Sequence, residues 1–116
     1  MSIKYWADTS AILHHSNQIQ FDDKVLVSTI TIQELEHIKT KDKESDATKA
    51  DARRAVRAIL DAKKFDTVIP DNKKIDKLIK KNTFLNDIND HRILCAAEIY
   101  GTENNVIVQF ITCDAL

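Results

Sequence analysis

Four carboxylates draw attention by their place relative to apolar runs: Asp8, Glu34, Asp90 and Asp114. Asp8 closes the run Ile3-Lys4-Tyr5-Trp6-Ala7, and a second apolar stretch begins at Ala11. That switch of pattern reads as a strand-to-helix turn. Asp114 follows the β-branched run 106–111, Glu34 lies early in the helix after the second strand, and Asp90 opens a later helix. In a parallel sheet the carboxyl ends of strands and the starts of the following helices share one edge, the edge where open α/β sheets place their ligands. The four acids can therefore converge. Clustered acids repel one another unless protons or a cation compensate them. An oxygen-only donor set suits Mg²⁺ or Mn²⁺ rather than zinc. Thr9, Ser10 and Thr112 flank the acids and can orient carboxylates or metal-bound waters by hydrogen bonding.

Each acid also has a purely local reading. Asp8 can cap the helix it precedes. Thr31-Ile32-Gln33-Glu34 fits a capping box, in which Glu34 bonds back to the start of its own helix. Asn89 and Asp90 are both good N-cap types, and Asp114 can cap a helix further on. Taken singly, capping explains each acid; four acids at equivalent topological positions favour a metal site. A phosphatase would want a second Asp where Ser10 stands, and a phospho-receiver domain would want paired acids after the first strand, where Asp8 is alone.

The elements that must position these acids follow from apolar periodicity. Residues 2–7, 24–28, 66–69 and 106–111 read as strands. Residues 10–14, 29–38, 46–64, 71–81 and 90–100 read as helices, with 46–64 the longest and Gly101 ending the last. Ile32, Leu35 and Ile38 form one inner face, and Ala52, Ala55, Val56, Ile59 and Leu60 another. Opposite the latter, Lys49, Arg53 and Arg57 make a basic stripe that reads as a solvated helix face or as a track for a phosphate backbone. Arg92 reads equally as a substrate-phosphate contact or as a partner for a neighbouring acid, and Asp87 as a loop acid or reserve ligand. Trp6 and Tyr5 are expected in the core. Strands alternating with helices predict an α/β fold, a three-layer α/β/α arrangement around a central parallel sheet.

Composition sets the bounds. The 116 residues suit one domain, 1–116, with 43% hydrophobic residues and no apolar run of membrane-spanning length. Seventeen basic against eighteen acidic residues give a net charge of -1, which does not advertise a nucleic-acid binder. Setting aside four metal-binding carboxylates, however, leaves the rest of the chain positive. Cys95 and Cys113 lack metal spacing and read as reduced, small core residues in a cytoplasmic protein with no membrane partner.

The segments Ala7-Asp8-Thr9-Ser10-Ala11-Ile12-Leu13-His14, Gln33-Glu34-Leu35-Glu36-His37-Ile38-Lys39, Asn89-Asp90-His91-Arg92-Ile93-Leu94 and Thr112-Cys113-Asp114 occur in an order and at spacings that resemble a PIN domain of the PIN/FLAP nuclease superfamily, especially the domain at the N-terminus of PhoH-like ATPases. The resemblance covers nearly the whole chain. It implies a metal-dependent endoribonuclease that hydrolyses single-stranded RNA, with Asp8, Glu34, Asp90 and Asp114 as catalytic metal ligands for Mg²⁺ or Mn²⁺. Ser10 and Thr112 would support them. It also implies a homodimer as one state and an ATPase domain or other partner outside this chain. The alternative is a non-catalytic module that binds RNA or a protein within a larger PhoH-like protein. Such domains usually continue past the final acid with another helix and a short strand, so this chain reads as a trimmed fragment or a minimal version.

Overall fold

The computed structural model describes residues 2–61 and 63–113. Four strands, β1 (Ile3–Ala7), β2 (Val25–Ser28), β3 (Phe65–Val68) and β4 (Ile107–Ile111), form one all-parallel sheet in the order β3-β2-β1-β4. Five helices surround it: α1 (Thr9–His15), α2 (Thr29–Thr40), α3 (Asp46–Ile59), α4 (Asn72–Lys81) and α5 (Asn89–Asn104).

Successive strand residues face opposite sides of a sheet, and here that alternation splits the core in two. Ala7, Val25, Val27 and Phe65 pack with Ala11 and Ile12 of α1, Leu35 of α2 and Ala52, Ala55 and Ile59 of α3. Trp6, Leu26, Val108 and Phe110 pack on the other side with Ile75 of α4 and Ile93, Ala96 and Ala97 of α5. This is the three-layer α/β/α architecture expected. Trp6 is fully buried and meets the Tyr100 ring edge-on at 5.8 Å, although its indole N–H has no hydrogen-bond partner among the described residues. Tyr5 is half-buried and stacks on Phe21 at 4.1 Å. Leu35 anchors α2 from a fully buried position. Truncating it to Ala removes a core contact of a kind that costs about 2–5 kcal/mol.

The strand order creates a switch point. The chain steps from β1 outward to β2 and β3, then crosses to β4 on the opposite side of β1. In such sheets the connections leave the carboxyl edge in opposite directions at the reversal, which opens a crevice there. The reversal lies between β1 and β4, whose register pairs Ala7 with Ile111. Asp8 and Thr112, one residue further along each strand, therefore flank the crevice.

Several expected boundaries move for identifiable reasons. Helix α3 ends at Ile59, not residue 64, and Leu60 is an exposed C-cap rather than part of the apolar stripe. The longest helix is α5, which runs through Gly101 to Asn104 and ends on Asn105 in the left-handed region at φ 52°. Gly101 serves close packing instead of termination. A Cβ there would sit 3.1 Å from the Val106 carbonyl oxygen and 3.2 Å from Val108 Cγ2. Cys95 is buried as expected, whereas Cys113 is exposed. Among the described residues no helix is long and apolar enough to cross a membrane.

Candidate active-site rim

Asp8 sits where β1 gives way to α1 and is buried. Its backbone is extended, and Oδ1 accepts hydrogen bonds from the Ala11 N–H and the Ser10 hydroxyl, both at 2.9 Å. The local reading of Asp8 as a helix cap is thus correct, and the cap uses one carboxylate oxygen. The backbone N–H of Asp8 donates to the Ile111 carbonyl at 3.1 Å. Ser10 Oγ accepts from the Cys113 backbone N–H at 3.3 Å. Ser10 therefore joins the Asp8 carboxylate to the segment leaving β4 and straddles the crevice between the two strands.

Glu34 reaches the same rim from α2. The Thr9 hydroxyl donates to Glu34 Oε1 at 2.6 Å and lies 3.1 Å from the hydroxyl of buried Thr31. The capping box does not form. Helix α2 begins at Thr29 with Ser28 as N-cap, whose hydroxyl accepts the Ile30 N–H. With the cap supplied one turn earlier, Glu34 points across to α1. The Thr9 and Ser10 side chains, neighbours in sequence, thereby address Glu34 and Asp8 respectively.

Asp90 occupies the first turn of α5, where a negative charge is favoured by the helix dipole. Neither Asn89 nor Asp90 is the cap: that position falls to Ile88, with no side-chain hydrogen bond. Asp90 is exposed and has no hydrogen-bond or ion-pair partner among the described residues. Thr112 is exposed at the end of β4. Asp114 lies outside the described residues. Among the described residues no three acids, histidines or cysteines gather as a group able to hold a metal ion. The chemistry of Asp8 and Glu34 nevertheless fits a hard divalent cation. Each commits one carboxylate oxygen to internal hydrogen bonds, and neither takes part in an ion pair among the described residues.

Arg92 is engaged within the protein. Its Nη1 donates to Asp76 and to Asp87, each at 2.9 Å, and its Nη2 to the Asn72 side-chain oxygen at 2.9 Å. The hydrogen bond it donates to Asp76, reinforced by that to Asp87, raises the guanidinium above its already high ordinary pKa. Asp87, considered as a reserve ligand, is one of these partners. On α3, Arg53 and Arg57 are exposed and Lys49 is half-buried, on the side away from buried Ala52 and Ala55. Sequence reasoning passed over Thr31 and Asn72 as polar residues of this edge. The three-residue spacing of Thr31 and Glu34 was the available signal, since it places both on one helix face.

No curated protein matches the sequence. The PIN domain family model matches residues 5–116, which run from within β1 through β4. PIN domains are generally nuclease modules and usually employ divalent metal ions. A parallel sheet with a switch point beside its first strand, an aspartate ending that strand, and a glutamate brought to it from α2 accompany that match, and the chain belongs to the PIN domain family.

Proposed function

We propose that this PIN domain is a metal-dependent endoribonuclease that hydrolyses phosphodiester bonds of single-stranded RNA at the rim carrying Asp8 and Glu34. The observation that carries the reading is the pair of carboxylates at the switch point, oriented by Ser10 and Thr9 and lacking an ion-pair partner among the described residues. Carboxylates so arranged attract a cation. Asp8 and Glu34 would hold Mg²⁺ or Mn²⁺, with Asp90 and Asp114 completing the ligand set and Thr112 supporting it. A divalent cation bound there supplies an activated water and positive charge opposite the scissile phosphate. The chain's own residues have defined tasks. Ser10 fixes Asp8 against the end of β4, Thr9 fixes Glu34, and fixed ligands need little reorganisation during the reaction. Lys49, Arg53 and Arg57 would track the RNA backbone by charge. Arg92 would act in substrate binding by holding α4 and α5 together.

The reading as a binding module, for RNA or a protein partner within a PhoH-like protein, is favoured by one observation: among the described residues Asp90 stands exposed and unpaired rather than gathered with Asp8 and Glu34. A cytoplasmic setting suits the two free thiols. Cleavage of end-labelled single-stranded RNA with Mn²⁺ or Mg²⁺, by this chain and by one extended past Leu116, separates the readings. Metal-dependent cutting that EDTA and Asp8→Asn both abolish supports the nuclease. RNA bound but left intact by both chains supports the module.

A further inference from the structure

A second concavity opens on the same edge of the sheet, on the other side of α2 from Thr9. It has a volume of about 290 Å³ and is lined by Gln33, Asn72, Asn89, Arg92, Ile69 and Pro70, among others. The geometry of α2 explains the adjacency. Thr31 and Glu34 face Thr9, while Thr29, Ile30 and Gln33 line the concavity. Residues one step apart on a helix differ by about 100° in direction, so these are neighbouring stripes on one turn. Asn89 likewise precedes Asp90 at the start of α5.

The chemistry of the lining is selective. Among the described residues Arg92 is the one cationic group of this lining, and three of its N–H groups donate to Asp76, Asp87 and Asn72. With two acids beside it, Arg92 offers a phosphate little net charge. What a guanidinium held in this way retains is its flat face, on which unstacked bases commonly lie. Ile69, at 82% exposure, and Pro70 supply apolar surface to the same concavity. The side-chain amides of Gln33 and Asn89 are exposed and make no hydrogen bond among the described residues. Each amide offers two N–H donors and a carbonyl acceptor, the complement of a base edge. The volume is near the small end of ligand sites, whose range begins at about 300 Å³. It suits one planar heterocycle rather than a dinucleotide.

We propose that this concavity is a subsite for one base of the RNA strand, stacked against Arg92 and Pro70 and read at its edge by Gln33 and Asn89. The assignment deepens the nuclease reading and rests on it for the identity of the strand. The subsite would give the enzyme a preference for a base near the cut.

Binding can be observed without cleavage. The ¹⁵N-labelled chain in EDTA is titrated with each of the four ribonucleoside 5′-monophosphates and with ribose 5-phosphate. The expected result is movement of the Gln33, Asn72 and Asn89 side-chain amide signals and of Arg92 Nε–H with at least one base, none with ribose 5-phosphate, and loss of the response in Gln33→Ala/Asn89→Ala. Both positions are exposed, so an unchanged backbone spectrum is expected to show that the double variant is folded. In metal-supported cleavage the double variant should change the ratio of cutting between preferred and disfavoured sequences by about tenfold. Equal movement with ribose 5-phosphate, or none with any nucleotide, overturns the base subsite. RNA cutting with an unaltered cut-site pattern in the double variant also overturns it and leaves the nuclease reading standing. Amide signals that answer to a base in a chain that never cuts RNA support the subsite and sink the nuclease.

Discussion

Two groups of acids lie along the carboxyl edge and its helix starts, and they are treated in opposite ways. Asp76 and Asp87 share Arg92, so their charge is largely answered inside the protein. Asp8 and Glu34 are held by the Ser10 and Thr9 hydroxyls and a backbone N–H, with no ion pair to either among the described residues. Hydroxyls and amides orient a carboxylate without cancelling its charge, whereas a guanidinium does both. The first arrangement clamps α4 to α5, since Asp76 and Arg92 belong to different helices. The second leaves two oriented carboxylates beside the switch crevice with no ion-pair partner among the described residues. An acid's partner therefore distinguishes these two groups better than its position does.

Substitutions can break this comparison, the largest effect first. Asp8→Asn keeps a residue that caps helices about as well, so thermal stability should change little. Metal-dependent RNA cleavage should fall by about 100-fold or more, because losing a ligand should exceed the roughly 10–100-fold cost of losing a residue that merely orients one. Initial rates on a labelled strand, beside a melting curve, separate the two effects. Thr9→Val removes the hydroxyl that orients Glu34 and should weaken Mn²⁺ binding by about tenfold, read by calorimetric titration. If affinity were unchanged, the hydroxyl would not be positioning a ligand.

Arg92→Met tests the opposite group. Loss of a partly buried cation shared by two largely exposed acids should lower stability by about 1–2 kcal/mol in urea unfolding, with Mn²⁺ affinity intact. A matching loss of metal binding would erase the distinction between the groups. The smallest effect belongs to an ion pair in water. Lys4 donates to Asp23 at 2.7 Å, and that hydrogen bond lowers the Asp23 pKa from its ordinary 3.8. A depressed carboxylate contributes stability above its unfolded value and loses it as pH falls through the folded one. Lys4→Met should therefore reduce the melting temperature slightly at neutral pH, with the difference from wild type vanishing at the acid end of the profile.

The fold was legible because the chain changes apolar period at each junction, from the alternation of strands to the spacing of helices. Asp8 was legible for the same reason: it stands where one period stops and the next begins. Glu34 was singled out with two readings, ligand and capping-box residue, and Thr-x-x-Glu spacing leaves open whether the carboxylate turns back to its own helix or across to a neighbour. Only the cap at Ser28 decides that. Gly101 looked like a helix stop because its local preference is visible and its contact with β4 is not. The engagement of Arg92 with Asp76 depends on sixteen residues of separation being closed by the packing of α4 on α5, which no local pattern encodes. Likewise the concavity beside Gln33 arises from junctions far apart in the chain.

Under the proposed function Asp8 and Glu34 hold a divalent cation. Calorimetric titration of Mn²⁺ into the wild-type chain, Asp8→Asn and Glu34→Gln tests it most directly. A saturable site in wild type, weakened by about tenfold or more in each variant while Arg92→Met binds as wild type, is the predicted result. Equal affinity in wild type and both acid variants, or no saturable binding in wild type, would contradict the account.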